Sequence, residues 1–326
     1  MIGTRLPLAL KSGVELPAQG GLAVLHPPTD ADISALPTDR CIVVTPNVVT
    51  HDAFKARGYS ASTECPDMAA AVIVCLPRAR AEARMLVSQA MKVTDGLVII
   101  DGQKTDGVEA MLKAVRAEAS VDGSIAKAHG KIFWLPSSDA FTDWEAGPAL
   151  TDGGFWTAPG VFSADGIDPA SALLTAALPD ELGPVVADLG AGWGFLSAHI
   201  LAREAIERLH IVEAHHLALQ CAEHNVTDPR AVFHWADATR WSATEGIDDV
   251  VMNPPFHVGR AAQPDLGQGF IRNAAAILKP RGRLWMVANR HLPYEDLLAS
   301  LFAKSVEIGG DARFKLLYAE RPKRRS

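Results

Sequence analysis

Residues 185–200 read VVADLGAGWGFLSAHI, and this stretch decides the fold. The run VVADL predicts a buried strand and FLSAHI begins a helix, so the turn between them carries Gly190, Gly192 and Gly194. Glycine lets the backbone turn tightly and leaves room for a ligand, because it has no Cβ. Open α/β sheets bind ligands at the carboxyl ends of their strands, where such turns lie. The stretch therefore predicts an α/β fold with a ligand site at this turn.

The residues around the turn indicate which ligand it suits. A dinucleotide fingerprint G-x-G-x-x-G that starts at Gly190 needs a small residue at position 195, and Phe195 stands there. Asp188 precedes the turn, where a carboxylate is unfavourable for a pyrophosphate but suits a ligand with an amino group. S-adenosylmethionine has such a group. A glycine turn alone, however, is also typical of any tight connection between a strand and a helix.

Two further carboxylates follow the next two predicted strands. Glu213 ends RLHIVE, where it can accept hydrogen bonds from both ribose hydroxyls, and Asp237 follows AVFHW, where it can accept one from the adenine amino group. These signals reinforce one another, because ligands of open α/β sheets bind along the edge where successive strands end. The predicted cofactor is S-adenosylmethionine. The predicted cofactor-binding residues are Asp188, Gly190, Gly192, Gly194, Glu213, Asp237 and Asn253.

A stiff turn follows the fourth predicted strand of this half, in VVMNPPFHVG at 250–259. Proline fixes its own φ and restricts the residue before it, so the backbone from Asn253 onward is held still. The side-chain carbonyl of Asn253 and the backbone carbonyl of Pro254 can accept the two N–H bonds of an amine and orient its lone pair. Phe256 offers a flat face for a planar target. Asn253, Pro254, Pro255 and Phe256 are therefore the predicted catalytic residues, forming a clamp for an amine.

These motifs together resemble a known family. VVADLGAGWGFLSAHI, IVEA, WADA and VVMNPPFHVG are similar to the motifs of class I S-adenosylmethionine-dependent methyltransferases that modify amines. With PGVFSADGIDPASALL and VANRHLPYEDLL they closely resemble the bacterial ribosomal RNA small-subunit guanine-N2 methyltransferase family and its large-subunit relative. The resemblance is strong over 159–320 and weaker over 20–136. Departures are Ala191, where the family commonly has cysteine, the bulky Trp193, and the pair His215–His216.

The resemblance implies two tandem Rossmann-like methyltransferase domains, each a doubly wound α/β domain with a seven-stranded, mostly parallel sheet. The first is expected to be degenerate, because CLPRARAEA stands where N-P-P-F would be and no D-x-G-x-G-x-G precedes the linker. We expect the degenerate domain at 1–136, a linker at 137–165 and the catalytic domain at 166–326. The implied activity is methyl transfer from S-adenosylmethionine to the exocyclic N2 amine of a guanine in ribosomal RNA, with 16S rRNA or the small ribosomal subunit as partner.

The periodicity along the chain supports an α/β organisation, because strand-like and helix-like runs alternate. In the first half, strands are predicted at 41–46, 69–77, 96–102 and 131–136. In the second half, strands are predicted around 208–214, 283–289, 305–310 and 314–320, a strand followed by a turn at each of 231–238 and 248–256, and helices near 266–278 and 293–303.

The composition argues against several other classes of protein. The chain is 48% hydrophobic, and no apolar run approaches the roughly 20 residues of a membrane span. The N-terminus lacks the pattern of a secretion signal, so we expect a cytoplasmic protein. Four cysteines without CxxC spacing argue against a disulfide framework and a zinc site, and no metal is expected. The net charge of −7 argues against a general nucleic-acid-coating protein, and RPKRRS at 321–326 is a solvated tail or a phosphate-contacting arm.

Alternatives stay open at this point. The same clamp serves methylation of a protein glutamine or of an adenine amine, and a cofactor-binding ribosome-assembly factor without catalysis is a third interpretation. His215 and His216 are adjacent, so on a helix they point about 100° apart and are poorly placed to chelate a metal. Trp235 and Trp241 flank Asp237 and either wall the adenine pocket or pack in the core.

Overall fold

The structure is a computed structural model that describes residues 2–255, 257–258, 261–262 and 264–323. It divides into two compact units, Met1–Gly147 and Pro148–Ser326. Each unit contains a seven-stranded sheet in which four neighbouring strand pairs are parallel. The predicted α/β fold with two mostly parallel sheets is therefore confirmed.

The first unit is built mainly from four α-helices and seven strands among the described residues. In chain order they are α1 (Ile2–Lys11), β1 (Leu22–Leu25), β2 (Cys41–Val44), α2 (Val48–Ala56), β3 (Ser60–Ser62), β4 (Ala71–Cys75), α3 (Arg80–Lys92), β5 (Leu97–Gln103), α4 (Val108–Glu118), β6 (Gly123–Lys127) and β7 (Gly130–Pro136). The sheet order is β3-β2-β1-β4-β5-β7-β6, with β7 antiparallel to both of its neighbours. Strands β1 and β4 are buried along their whole length, because an apolar core lies on each face of the sheet.

The second unit repeats this order. Its elements are β8 (Ala149–Leu150), β9 (Trp156–Thr157), α5 (Pro169–Ala177), β10 (Val185–Leu189), α6 (Phe195–Leu201), β11 (Arg208–Glu213), α7 (His216–Asn225), β12 (Ala231–Trp235), β13 (Ile247–Met252), β14 (His257–Val258), β15 (Ala261–Ala262), α8 (Pro264–Ile277), β16 (Leu278–Asn289), α9 (Glu295–Leu301), β17 (Phe302–Gly310) and β18 (Phe314–Pro322). The sheet order is β12-β11-β10-β13-β16-β18-β17, with β18 antiparallel to both neighbours. Strand β10, which carries Asp188, therefore lies between β11 and β13.

Local sequence explains where two helices near this edge begin. Helix α5 starts after Asp168, whose Oδ2 accepts a hydrogen bond from the backbone N–H of Ser171 at 2.8 Å. Pro169 occupies the first turn of that helix, where a missing N–H is tolerated. Helix α7 starts after His215, whose Nδ1 accepts from the backbone N–H of Ala218.

The structure contains elements that the sequence pattern did not predict. The four strands predicted in the first half correspond to β2, β4, β5 and β7, whereas β1, β3 and β6 were not predicted. The segment 137–165, predicted as a linker, holds a 3-10 helix, Asp139–Trp144, whose Phe141 and Trp144 are buried in the first unit. The same segment holds the small hairpin of β8 and β9.

The strand register shows which residues of the first unit occupy the places of the predicted site. Leu25 of β1 pairs with Val44 and Val74, as Leu189 of β10 pairs with Val212 and Met252. One residue before or after these positions, the first sheet has Val24, Thr45 and Cys75, whereas the second has Asp188, Glu213 and Asn253. The first sheet therefore lacks both carboxylates and the amide at the equivalent positions.

Candidate active site

The glycine turn between β10 and α6 depends on backbone conformations that favour glycine. Gly192 has φ +58° and Gly194 has φ +89°, both in the left-handed region. A Cβ at Gly194 would lie 3.2 Å from side-chain atoms of Ala222 and Val226, so a larger residue there would also crowd these neighbours. A Cβ at Gly192 would meet no described atom within 4 Å, which leaves open space beside the turn.

Asp188 lies beneath this turn and is completely buried. Its Oδ2 accepts a hydrogen bond from the Ser197 hydroxyl at 2.7 Å, whereas its Oδ1 has no hydrogen-bond partner among the described residues. Burial is the main reason why the pKa of Asp188 is raised to about 7; the hydrogen bond from Ser197 opposes this rise and the nearby Glu213 carboxylate contributes to it. Burying a carboxylate oxygen without a hydrogen-bond partner costs free energy. Oδ1 of Asp188 is therefore available to accept a hydrogen bond from a ligand.

Glu213 at the end of β11 is held by backbone donors. Its Oε2 accepts from the N–H of Gly192 and its Oε1 accepts from the N–H of His215, each at 2.8 Å. Burial nevertheless raises the pKa of Glu213. Each oxygen keeps a second lone pair, so the carboxylate is fixed in place with remaining capacity to accept hydroxyl hydrogen bonds.

Asp237 follows β12 and uses one oxygen in its own turn. Its Oδ1 accepts from both the backbone N–H and the hydroxyl of Thr239, at 2.9 and 2.6 Å. Its Oδ2 lies 3.9 Å from Arg240, whose side chain is 88% exposed, so this contact adds little. Asp237 therefore stands on the predicted edge, but its position is also explained by the local turn.

Asn253 follows β13 with its amide group fixed in one orientation. Its Nδ2 donates to Oδ2 of Asp168 and to Oγ of Ser171, both at 2.8 Å. Its Oδ1 is buried and accepts no hydrogen bond from the residues that the structure describes. Pro254 is buried and Pro255 is exposed, and Phe256 lies outside the described residues. The structure thus places an unpaired carbonyl oxygen next to the strand that carries Asp188.

The segment 155–168, called the strap below, covers the glycine turn. Trp193 is 4% exposed, and its Nε1 donates to the backbone oxygen of Phe162 at 3.0 Å. Phe155 packs against the Trp193 ring at 5.0 Å between centroids. The bulky residue in the turn therefore fastens the strap. The space left between strap, turn and Asn253 has a volume of about 30 Å³, close to that of one water molecule.

The histidine and tryptophan side chains noted in the sequence make contacts within the fold. His215 caps α7, and the His216 ring contacts Trp235 edge-on at 5.5 Å. Trp235 is partly buried and donates through Nε1 to the backbone oxygen of Ala214, while Trp241 is buried in the core. In the described part of the chain, no group of three or more His, Cys, Asp or Glu residues could hold a metal ion.

Sequence reasoning missed Asp168 and Ser171. Both lie within DPAS, which on its own indicates only the start of a helix. Their contact with Asn253 spans more than eighty residues of chain, so no local pattern could have predicted it.

No helix of the described residues is long and apolar enough to cross a membrane.

Comparison with known proteins places this geometry in a family. The profile of the methyltransferase small domain matches residues 152–318. The ribosomal RNA small subunit methyltransferase C of Sodalis glossinidius is 33% identical over 235 residues, which cover 70% of this chain and 67% of that protein. Its counterpart from Acinetobacter baumannii (strain AYE) is 29% identical over 330 residues, which cover 92% and 95%.

A solved structure matches both units. The T. thermophilus 16S rRNA N2 G1207 methyltransferase (RsmC), in complex with AdoMet and guanosine, is 27% identical and superposes with a TM-score of 0.77. The match covers 96% of this chain and 90% of that one. The resemblance recognised in the sequence is thereby confirmed. Since the family profile spans nearly the whole second unit and half of the chain, this chain belongs to the methyltransferase small domain family.

Proposed function

We propose that this protein transfers the methyl group of S-adenosylmethionine to the exocyclic N2 amine of a guanine in ribosomal RNA of the small subunit. The observation that carries the proposal is the buried, unpaired Oδ1 of Asn253, next to the strand whose Asp188 also has an unpaired oxygen. The names of the relatives and the ligands of the T. thermophilus structure support the choice of substrate and cofactor.

The residues at the edge fit S-adenosylmethionine, which supplies an electrophilic methyl group on a positively charged sulfur. Oδ1 of Asp188 can accept from the amino group, and Glu213 can accept from the ribose hydroxyls. Asp237 can accept from the adenine amine through Oδ2. The backbone at Gly192 faces open space, so it can approach a ligand closely.

The clamp solves a chemical difficulty of the acceptor. The lone pair of a guanine amine is delocalised into the ring, so the amine is a poor nucleophile. Oδ1 of Asn253 and the backbone oxygen of Pro254 accept its two N–H bonds and direct its lone pair at the methyl carbon. The amine nitrogen forms a bond to the methyl carbon while the C–S bond breaks, and the sulfur keeps that bond's electron pair in the departing S-adenosylhomocysteine. The nitrogen then loses one proton to water. A paired base is unreachable, so the guanine must be unpaired or flipped out.

The first unit has a different role in this proposal. Val24, Thr45 and Cys75 leave its sheet edge without the acceptors that the second unit has. We propose a degenerate domain at 1–136 that positions RNA or supports folding, a connecting segment at 137–165 and a catalytic domain at 166–326. The small subunit or its RNA is the proposed partner, and the cytoplasm is the proposed compartment.

The test is methyl transfer by Asn253→Ala to ribosomal RNA and to small subunits, followed by nucleoside digestion. We expect N2-methylguanosine as the product of the wild type, and a rate for the variant about a hundredfold lower, by analogy with removal of one preorganised donor or acceptor. Cofactor affinity measured by calorimetry should stay close to wild type. Wild-type transfer to release factors or to adenine, but not to guanine, would replace the substrate. Cofactor binding without transfer to any of these would indicate a non-catalytic assembly factor.

A further inference from the structure

The amide group of Asn253 is anchored more completely than a turn requires. Its Nδ2 has two hydrogens, and both are donated at 2.8 Å, one to Oδ2 of Asp168 and one to Oγ of Ser171. A carboxylate oxygen can only accept, so this contact decides which end of the amide faces Asp168. If the amide were turned over, its carbonyl oxygen would face the carboxylate. The two contacts therefore hold Oδ1 on the side where the amine is expected.

The two anchors belong to one rigid element. Asp168 caps α5, and the same Oδ2 that meets Asn253 also accepts from the backbone N–H of Ser171 at 2.8 Å. Ser171 is 7% exposed, and Ala170 and Leu174 fix the helix in the core at 1% exposure each. The orientation of Asn253 is thus set by a packed helix and not only by the proline turn.

The charge of Asp168 also acts on the far end of the amide. A hydrogen bond accepted by a carboxylate polarises the amide and increases the electron density on its carbonyl oxygen, because linked hydrogen bonds strengthen one another in a low dielectric. An oxygen with more negative charge is a better acceptor for the N–H of the amine. Ser171 contributes the second contact but no charge, so its effect should be smaller.

We propose that Asp168 and Ser171 are positioning residues, which hold the Asn253 amide in its productive orientation and increase the acceptor strength of its Oδ1. This inference rests on the proposed amine methylation at the same site. It extends the clamp from the turn after β13 to the start of α5.

The test exchanges the carboxylate and the amide between positions 168 and 253. Asp168→Asn keeps a helix cap, because asparagine caps as well as aspartate. It removes the charge and lets the amide at 253 turn over. Asn253→Asp places two carboxylates against each other. The double variant Asp168→Asn with Asn253→Asp restores a donor on one side, now at 168, and an acceptor oxygen at 253. Ser171→Ala removes the uncharged contact alone.

We expect single-turnover transfer to fall about tenfold or more in Asp168→Asn and a few-fold in Ser171→Ala, which are the usual ranges for a charged and a neutral hydrogen bond. The double variant should be at least about tenfold faster than Asn253→Asp alone, since it regains the pair. Cofactor affinity should remain within about twofold in Asp168→Asn and Ser171→Ala. Asp311→Asn, a turn carboxylate in the loop before β18, serves as the matched control and should behave as wild type.

A second readout does not depend on activity. With ¹⁵N-labelled asparagine, the side-chain NH₂ signal of Asn253 can be identified by its loss in Asn253→Asp. Its exchange with solvent should be slow in wild type and about tenfold faster in Asp168→Asn, because the hydrogen bond protects it. An inactive wild type with this protection pattern would refute the proposed function alone. Unchanged exchange and transfer in Asp168→Asn, an equal loss of cofactor affinity and rate, or no rescue in the double variant would each overturn the positioning role.

Discussion

Asp188→Asn should stabilise the cofactor-free protein at alkaline pH while it weakens cofactor binding. The carboxyl group is completely buried, and burial raises its pKa from 3.8 to about 7. One pKa unit corresponds to about 1.36 kcal/mol, so keeping Asp188 ionised in the fold costs about 4 kcal/mol at pH 8. An amide avoids this cost, but its Nδ2 would lie where Oδ1 has no partner, which costs about 1 to 3 kcal/mol. The net gain is about 2 kcal/mol.

The size of the stabilisation by Asp188→Asn depends on pH within a defined window. Because the folded pKa lies above the unfolded one, ionisation of Asp188 destabilises the fold. This penalty is absent below pH 3.8, grows between 3.8 and about 7, and is complete above that. At pH 5 it is only about 1.5 kcal/mol, which the unpaired amide cancels. Asp188→Asn should therefore raise the melting temperature of the second unit by about 4 to 8 °C at pH 8 and leave it unchanged at pH 5.

Scanning calorimetry at the two pH values measures this effect, and Asp249→Asn is the matched control. Asp249 is also completely buried, but its oxygens accept from Gly183, Arg283 and Trp285. Breaking that buried pair should destabilise the protein by about 3 to 5 kcal/mol. Titration calorimetry at pH 8 should show weaker cofactor binding in Asp188→Asn. A melting temperature lowered at pH 8, a shift that is the same at both pH values, or full cofactor affinity would refute the reasoning.

Three further variants test the rest of the site. Glu213→Ala should weaken cofactor binding by about 1.5 to 3 kcal/mol in calorimetry and change single-turnover rates much less, because the ribose is remote from the methyl group; unchanged affinity would place the ribose contact elsewhere. Gly194→Ala should lower stability by more than about 1 kcal/mol in denaturant titrations, because φ is +89° and Ala222 lies 3.2 Å from the new Cβ; a wild-type midpoint would contradict this. Trp193→Phe keeps an aromatic ring but loses the indole N–H that donates to the Phe162 oxygen, so hydrogen exchange of the strap should quicken; equal protection would show that Trp193 does not fasten the strap.

The sequence predicts well those strands whose residues form a continuous apolar run, because such a run indicates burial on both faces. AVIVC at β4 and VVADL at β10 are continuous apolar or nearly apolar runs, as expected for strands covered on both faces. Strand β3, with the sequence SAS, and β6, with GSIAK, have no such pattern, because they lie at the two edges of the first sheet. These strands form by pairing with their neighbours, and the local sequence does not indicate this pairing. Strand β1, with the sequence LAVL, is apolar and buried but was also missed, because its run is only four residues long.

The candidate site likewise contains residues that local sequence predicts and contacts that it does not predict. The glycines and carboxylates follow strands that are adjacent in the sheet, so their spacing along the chain predicts a common edge. The anchoring of Asn253 by Asp168 depends instead on where α5 packs, and the closing of the strap by Trp193 depends on a contact with Phe162. Such contacts follow from tertiary packing, and a single sequence contains no periodicity that reports them.

Comparing the two sheets at the position of Asp188 distinguishes what the fold requires from what the candidate site requires. At the place of Asp188 the first sheet has Val24, which is 0% exposed and adds apolar surface to the core at no electrostatic cost. The same strand position in the second sheet holds a carboxyl group whose raised pKa reflects an unfavourable burial. A seven-stranded sheet of this order therefore folds without the carboxylate, and we expect the carboxylate in the second unit to destabilise the cofactor-free protein above pH 3.8. Stability does not explain Asp188, whereas the contact that we propose with the amino group of the cofactor would explain it.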